Sequence, residues 1–373
     1  MSYTKAFHRI VAAFGLAFAA AAWAQQGAKP QAPMQWLPAN DTRFEWVNAV
    51  ALEPRDGGLQ PVRVARAWRD QWSQPNQRRR ATSGAGVSLR FRTDSPRIAL
   101  RATLLDTQPF PAATNPEDAW EFNRPPYFAV YRNGRFVASV PGKIQAGQQD
   151  VMLFNATDAV AGPAEFQILL PFYYRNAETI LHGVGVAPGS KVEAAAPDRR
   201  PRVLFFGDSI THGHGVTAPQ ETYVWQACRI ADCEPLNFGF GGTGWGEQVV
   251  ADTIAARDDW DVLVIAIGTN SFSGTDGATQ QRETAAQYGE KYWRFIETIR
   301  DRWPNKPIIS MTPVLNRYDI LGIVNVNGET AQNYREAITR AVRERQRNDR
   351  RLKLLDGLAF VGEPLHLLVT DLV

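Results

Sequence analysis

The sequence predicts two domains of different fold class, a jelly-roll-like β-sandwich followed by an α/β domain built on a five-stranded parallel sheet. Residues 35–186 contain repeated short runs in which apolar and polar residues alternate, as they do in half-buried strands. Residues 187–201 are rich in alanine and proline, which is typical of a linker. Residues 202–373 alternate apolar strand-like runs with helical patterns, and parallel strands require such crossovers.

The first 24 residues have the organisation of a secretory signal peptide. Lys5 and Arg9 precede an apolar stretch, residues 10–22, which is too short to span a membrane. The stretch ends in Ala22-Trp23-Ala24, the small-residue pattern of a signal-peptidase site. We therefore expect an exported protein, periplasmic or secreted, without a membrane span.

The strands of the sandwich are predicted from alternation and from one turn. Residues 87–91 and 98–104 alternate apolar and polar side chains, and further strands are expected at 151–154 and 166–172. Asn133-Gly134 lies between two apolar runs and supplies the positive φ angles that a type I′ hairpin turn needs.

Two roles are open for the sandwich: it binds carbohydrate, or it forms one wall of an active-site cleft. Its aromatic residues are candidate surfaces for stacking on sugar rings. The alternative, which is the commoner situation, is that they are ordinary strand and core residues. The aromatic candidates are Trp120, Phe122, Tyr127, Tyr173 and Tyr174.

The α/β domain is predicted to contain five strands and four helices. The third helix carries apolar residues at helical spacing, so one of its faces is expected to pack on the sheet. The residues of this face are Tyr288, Tyr292, Phe295 and Ile299. The strands are expected at 203–206, 235–238, 262–267, 308–311 and 352–355, and the helices at 222–230, 247–256, 280–302 and 331–347.

The first strand of this domain leads directly into a candidate nucleophile. Residues 203–206 run without alternation into Gly207-Asp208-Ser209, which indicates a buried parallel strand that ends in a tight turn. Open α/β sheets place their reactive groups at the carboxyl ends of strands. A serine there needs a base and donors for an oxyanion, so further polar residues are expected after the neighbouring strands.

Three segments, in order, resemble the first three sequence blocks of the GDSL, or SGNH, hydrolases. They are Gly207-Asp208-Ser209-Ile210, then residues 237–242 (Asn-Phe-Gly-Phe-Gly-Gly), then Gly268-Thr269-Asn270, and each follows an apolar run. The resemblance covers about residue 202 to the C-terminus and implies a three-layer, flavodoxin-like domain. A β-sandwich ahead of such a domain is similar to the arrangement in a family of exported carbohydrate acetylesterases.

The resemblance implies a role for each block. Ser209 would be the nucleophile, and the oxyanion hole would consist of the backbone N–H groups of Ser209 and Gly242 and the side-chain amide of Asn270. Gly242 is favoured over the neighbouring glycines because it is the sixth residue of its block. Each block also has a plainer interpretation, as a turn, a flexible loop or a helix cap.

The same resemblance places the catalytic base in a final Asp-x-x-His block. Asp371 opens this block, so the histidine is expected at position 374, with Asp371 orienting it. A chain that ends at Val373 is therefore expected to hydrolyse esters poorly. The competing assignment takes His366 as the base and Asp371 as a plain loop carboxylate.

The other histidines are expected to have supporting roles. His212 and His214 follow Ser209 closely, but a helical continuation of the turn would carry them away from its hydroxyl. We therefore expect them to line the cleft rather than to act as the base. His182 belongs to the sandwich and is expected to be structural.

Cysteine usage and charge limit the remaining possibilities. Cys228 and Cys233 are the only cysteines, and an oxidising compartment favours a local disulfide between them over free thiols. We expect neither a metal site nor a cofactor. The formal net charge of +3 gives no reason to expect nucleic acid as a partner. The run Arg78-Arg79-Arg80 is interpreted as a solvated loop rather than a phosphate or polyanion site.

The leading interpretation is an exported serine esterase that removes acyl groups, most plausibly acetyl, from a small-molecule or oligosaccharide ester. Trp245, directly after the glycine loop, is the candidate surface for substrate stacking. One alternative keeps the chemistry but changes the substrate to lipid or aryl esters. A second alternative is a non-catalytic carbohydrate-binding protein on the same scaffold.

Overall fold

The computed structural model describes residues 33–73, 75–106, 125–156, 162–172, 177–273 and 283–360. Within these ranges no helix is long and apolar enough to cross a membrane. Several features discussed above lie outside the described residues: the expected signal peptide, Trp120, Phe122, Tyr173, Tyr174, His366 and Asp371.

The N-terminal region is a sandwich of two antiparallel sheets, as predicted, and each has six strands among the described residues. Its strands are β1 (Gln35–Leu37), β2 (Glu45–Val47), β3 (Ala51–Arg55), β4 (Gly58–Val62), β5 (Ser88–Thr93), β6 (Arg97–Asp106), β7 (Tyr127–Arg132), β8 (Arg135–Pro141), β9 (Gln145–Asn155), β10 (Ala164–Leu169), β11 (Ala177–Val186) and β12 (Val192–Glu193). The first sheet has the order β3-β4-β11-β6-β9, with β1 on β11, and the second has the order β12-β5-β10-β7-β8, with β2 on β5.

The hairpin turn between β7 and β8 is the one that the sequence predicts. Asn133 and Gly134 have φ angles of 48° and 71°, and both values lie in the left-handed region that a type I′ turn requires. Two short helices, α1 (Arg66–Arg69) and α2 (Pro75–Arg80), connect β4 to β5.

The C-terminal region is an α/β domain with five parallel strands: β13 (Arg202–Gly207), β14 (Glu234–Gly239), β15 (Val262–Ala266), β16 (Ile308–Met311) and β17 (Leu352–Leu355). Their order, β14-β13-β15-β16-β17, is the flavodoxin-like arrangement that the resemblance implied. The helices are α3 (Ser209–His212), α4 (Tyr223–Ala231), α5 (Gln248–Ala256), α6 (Thr269–Ser273), α7 (Ala285–Arg302), α8 (Arg317–Ile320) and α9 (Ala331–Gln346), with single 3₁₀ turns at Pro219–Glu221 and Gly357–Phe360.

Helices cover both faces of this sheet, which gives the three-layer architecture. Helices α5, α7 and α9 pack on one face, and the predicted apolar face of α7 is fully buried there. Helix α4 packs on the other face, against Val203, Phe205 and Val264. Cys228 of α4 forms a disulfide with Cys233, at the position that the sequence suggested.

The second sheet of the sandwich packs its outer face on the α/β domain. Phe128 and Val130 of β7 are buried in the sandwich core, so alternation turns Tyr131 toward the opposite face. There Tyr131 contacts Trp225 of α4, whose Nε1–H donates to the Tyr131 hydroxyl at 2.7 Å. The two domains therefore share a buried contact.

The predicted linker is firmly held in the structure. Two of its residues, Val192 and Glu193, join the sandwich as β12. Arg200 forms ion pairs with Asp198 of the same segment and with Glu234 at the start of β14, and Asp198 also pairs with Arg90 of the sandwich. Burial raises the pKa of Glu234 to about 7. Residues 187–201 thus serve as part of the domain interface as well as a connection.

Candidate active site

The three sequence blocks meet at one edge of the parallel sheet. Strand β13 ends at Gly207, which pairs in register with Gly239 of β14 on one side and Ala266 of β15 on the other. The residues that follow these strands therefore emerge side by side. This edge is where open α/β sheets bind ligands.

Ser209 begins helix α3 immediately after β13. Asp208 is the N-cap of this helix, and its Oδ1 accepts a hydrogen bond of 3.0 Å from the backbone N–H of Ile210. Ser209 is half-buried, and no described residue forms a hydrogen bond with its hydroxyl. The cap fixes the turn, so the serine is held at the sheet edge by its backbone.

The second sequence block, residues 237–242, contacts the helix α3 that carries Ser209. Gly239 allows α3 to lie directly on the end of β14, because a Cβ there would come within 2.2 Å of the backbone nitrogen of His212. Asn237 adds two hydrogen bonds, since its amide donates to the Thr211 carbonyl at 2.7 Å and accepts from the Gly239 N–H at 2.9 Å. The helix that carries Ser209 therefore rests on the end of the neighbouring strand.

The glycine loop brings Gly242 to the same edge. Gly242 has a φ of +66°, in the region that favours glycine. A Cβ on Gly241 would lie 3.5 Å from Cβ of Ser209, so the loop passes beside the serine. No described residue accepts a hydrogen bond from the Gly242 N–H. The backbone here has the features of an oxyanion donor, and its role stays a prediction.

Asn270 follows the third strand and lies in α6. Its side chain is buried, and Nδ2 donates to the carbonyl of Thr243 in the glycine loop at 2.5 Å. An amide has two N–H donors, so this bond fixes the plane of the group in the way that an oxyanion donor requires. The third block is thereby tied to the second.

His212 does not line the cleft, contrary to the expectation from its position. Its ring is 1% exposed, Nε2 lies 2.9 Å from Ser83 Oγ, and Nδ1 accepts from the Gly241 N–H at 3.3 Å. Burial, together with the nearby Arg63 and Arg80, lowers its pKa well below the usual range. A neutral ring that accepts at Nδ1 and donates at Nε2 is a structural bridge, and it has no nitrogen left for Ser209.

A buried arginine of the N-terminal region also binds the end of β14. Arg63, which follows β4, is fully buried and donates from Nη1 to the carbonyls of Asn237 (3.1 Å) and Gly239 (2.9 Å). Its Nη2 donates to the Arg80 carbonyl (2.5 Å) and to Ser83 Oγ (2.9 Å). Burial and the nearby Arg257 lower its pKa, to about 9, so Arg63 remains charged at neutral pH. The sandwich region thus holds the end of β14 through one guanidinium.

The arginine run was interpreted wrongly as a solvated loop. Residues 75–80 form helix α2, and Arg80 is only 8% exposed because it lies against the glycine loop. Sequence reasoning also missed Arg63, Ser83 and Gln77, which belong to no motif. The arginine run was the only signal in this region, and charge runs usually lie in solvent.

Trp245 lies in the glycine loop and is half-buried. Its backbone N–H donates to Glu247 Oε2 at 3.1 Å, and Gln77 of α2 donates to Oε1 of the same carboxylate at 2.8 Å. His182 bonds to Thr103 within the sandwich, consistent with the expected structural role. The described residues contain no cluster of potential metal ligands.

Comparisons with known proteins agree with this geometry. Residues 205–363 match the model of the GDSL-like lipase/acylhydrolase family. No curated protein sequence matches the chain.

Three solved structures share the two-domain fold. One is the salicylyl-acyltransferase SsfX3 from a tetracycline biosynthetic pathway, with a TM-score of 0.74, 24% identity, and coverage of 87% of this chain and 85% of that one. Another is a protein from Bacteroides ovatus ATCC 8483 described as a GDSL-like lipase, with a TM-score of 0.68, 20% identity, and coverage of 91% of each chain. The third is a family two carbohydrate esterase from Cellvibrio japonicus, with a TM-score of 0.55, 17% identity, and coverage of 87% of this chain and 88% of that one.

Asp208 makes the stability of the site dependent on pH. Burial raises its pKa from 3.8 to about 6, so the folded protein holds this proton more tightly than the unfolded chain does. The corresponding stabilisation is present below about pH 4 and is lost as the pH rises through 6. Asp208→Asn keeps an acceptor for Ile210 and removes the ionisation. We expect it to reduce the fall in the free energy of unfolding between pH 4 and 7 by roughly 2–3 kcal/mol.

Urea denaturation at a series of pH values measures this effect. Asp258→Asn, at an exposed carboxylate, is the control and is expected to leave the pH dependence of stability unchanged. An Asp208→Asn variant with the pH dependence of the wild type would contradict the assignment.

Proposed function

We propose that this protein, in which residues 205–363 match the GDSL-like lipase/acylhydrolase family, is a serine esterase that hydrolyses acyl esters through an acyl-enzyme on Ser209. The observation that carries the proposal is the convergence of Ser209, the Gly242 loop and Asn270 at one sheet edge. A nucleophile beside preorganised N–H donors suits acyl transfer, because negative charge develops on the carbonyl oxygen in the transition state.

The proposed reaction has two halves. Ser209 Oγ attacks the acyl carbon while a base takes its proton, and the oxyanion is stabilised by the N–H groups of Ser209 and Gly242 and the amide of Asn270. The intermediate collapses, the alcohol leaves with the proton from the base, and the acyl group stays on Oγ. Water then attacks the acyl-enzyme, the base takes its proton, and the carboxylic acid is released as Oγ regains a proton.

The base is proposed to be a histidine oriented by Asp371, in the segment that follows Phe360. The environment of His212 supports this proposal, because both of its ring nitrogens form hydrogen bonds with groups other than Ser209. His182 is engaged within the sandwich. Experiments on activity therefore use the full-length protein.

Carbohydrate esters, acetylated ones above all, are the proposed substrates. Support comes from the sandwich that packs on the catalytic domain and from the same two-domain fold in a family two carbohydrate esterase. Trp245 is proposed to stack on a sugar ring. The similar salicylyl-acyltransferase indicates what else the acyl-enzyme could do, which is to pass its acyl group to an alcohol instead of water.

Export to the periplasm or the medium is also part of the proposal. The Cys228–Cys233 disulfide supports it, because disulfides persist in oxidising compartments. The signal-like segment at the N-terminus supports it independently.

Ser209→Ala tests the mechanism. Removing the nucleophile is expected to lower kcat for p-nitrophenyl acetate by several orders of magnitude, because the acyl-enzyme can no longer form. The melting temperature is expected to stay close to that of the wild type. Ser73→Ala, at an exposed serine, is the control and is expected to retain full activity. Turnover at the wild-type rate in Ser209→Ala would refute the serine mechanism.

A substrate series tests the finer proposal. Acetylated oligosaccharides are expected to have a higher kcat/KM than long-chain p-nitrophenyl esters, because an aromatic side chain offers stacking area to a sugar ring. Chromatography of the products, with and without an added alcohol acceptor, separates hydrolysis from acyl transfer. A preference for long acyl chains would favour a lipid esterase instead.

A further inference from the structure

Helix α2 of the N-terminal region contacts the glycine loop at two points. Gln77, which is buried, donates to Glu247 just beyond Trp245, at 2.8 Å. Three residues further along the helix, Arg80 lies against Gly242. Since residues three apart lie on the same side of a helix, one face of α2 covers the loop.

The guanidinium of Arg80 packs directly on the backbone of Gly241 and Gly242. A Cβ on Gly242 would come within 2.7 Å of Arg80 Nη1, and a Cβ on Gly241 would lie 3.7 Å from Arg80 Cζ. The Cβ of Ser209 would be 3.5 Å from that same Gly241 position. The arginine and the serine therefore both lie within van der Waals reach of the same position in the loop.

The backbone of Arg80 is held in place by the N-terminal region. Its carbonyl accepts from Nη2 of the buried Arg63, which also holds the end of β14. A charge that is held in place before the reaction begins needs no reorganisation when an oxyanion forms. Partial burial also reduces solvent screening, so the charge acts more strongly than it would in water.

The charge of Arg80 also acts on the neighbouring His212. His212, which accepts from the Gly241 N–H, has its pKa lowered by burial first and then by Arg63 and Arg80. A positive charge that disfavours a cation at His212 favours an anion at the proposed oxyanion hole, since His212 contacts Gly241 and the proposed donor is the adjacent Gly242.

We propose that Arg80 is a positioning residue of the esterase, which holds the Gly241–Gly242 backbone in place and adds positive charge next to the oxyanion. The inference rests on the proposed function of Ser209 and Gly242. It means that the N-terminal region supplies part of the catalytic environment. Arg80 acts through the loop on the transition state, so it raises kcat more than it strengthens substrate binding.

Three variants of the protein with its native C-terminal segment test this role. Arg80→Met keeps the aliphatic stem and removes the charge, whereas Arg80→Lys keeps the charge and loses the planar group. Arg78→Met makes the same chemical change two residues earlier on the same helix and serves as the control. Steady-state kinetics with p-nitrophenyl acetate give kcat and KM, and circular dichroism reports whether each variant is folded.

We expect Arg80→Met to lower kcat by about tenfold to a hundredfold with KM nearly unchanged, which is less than the loss of a direct oxyanion donor. Arg80→Lys is expected to recover a substantial part of kcat, and Arg78→Met to retain all of it. Recovery by lysine distinguishes a role of charge from simple packing, because lysine restores the charge but not the planar guanidinium.

Other results would overturn the inference. Wild-type kcat in Arg80→Met would show that the charge is not used, and a raised KM with unchanged kcat would make Arg80 a substrate-binding residue. Equal losses in Arg80→Met and Arg80→Lys would leave only packing. If Arg80→Met does not fold, Arg80→Lys and Arg80→Gln take its place in the comparison of kcat. Failure of the proposed function is distinguishable, because Ser209→Ala would then retain activity whatever Arg80 does.

Discussion

The candidate active site depends on one buried cation. Arg63 lies in the N-terminal region, yet its guanidinium binds the carbonyls of Asn237 and Gly239 at the end of the second strand of the α/β sheet. It also binds Ser83, and Ser83 in turn contacts His212. A hydrogen bond to such a charged group typically contributes about 1.5–3 kcal/mol, so the loss of Arg63 would leave several buried acceptors without a strong donor. The position of the glycine loop therefore depends on a residue from the other domain.

This dependence explains how a loop made largely of glycine can be held at the site. Gly239 allows helix α3 to approach closely, and Gly242 allows a left-handed turn, but glycines alone do not hold a loop in place. Arg63, His212 and helix α2 supply the missing restraint from behind. The sandwich is thus more than an appended module, because its residues support the glycine loop.

The sequence predicted the elements far better than their mutual support. Strands 308–311 and 352–355 and the apolar face of α7 were predicted as the structure has them, because local periodicity determines them. Thr222 was placed at the start of a helix and caps it, with its hydroxyl 3.3 Å from the Trp225 nitrogen.

The contacts that hold the site were not predictable, because they join residues far apart in the chain. Ser83 and His212 are separated by 129 positions, and neither lies in a pattern that indicates the other. The position of His212 shortly after Ser209 predicts that it lines the cleft, but its hydrogen-bond partner Ser83 comes from the other domain. The burial of Arg80 is also unpredictable, because nothing in the local sequence shows that its guanidinium lies against the glycine loop.

The most direct test of this dependence is the rate constant at which a fluorophosphonate labels Ser209 in Arg63→Met. Labelling requires both the nucleophile and a formed oxyanion site, so we expect the rate constant to fall at least about tenfold in folded protein. Arg92→Met, at an exposed arginine of the same sandwich, is expected to label at the wild-type rate. If Arg63→Met does not fold, Ser83→Ala interrupts the same chain of contacts more gently. Wild-type labelling in the folded Arg63 or Ser83 variant would contradict the account.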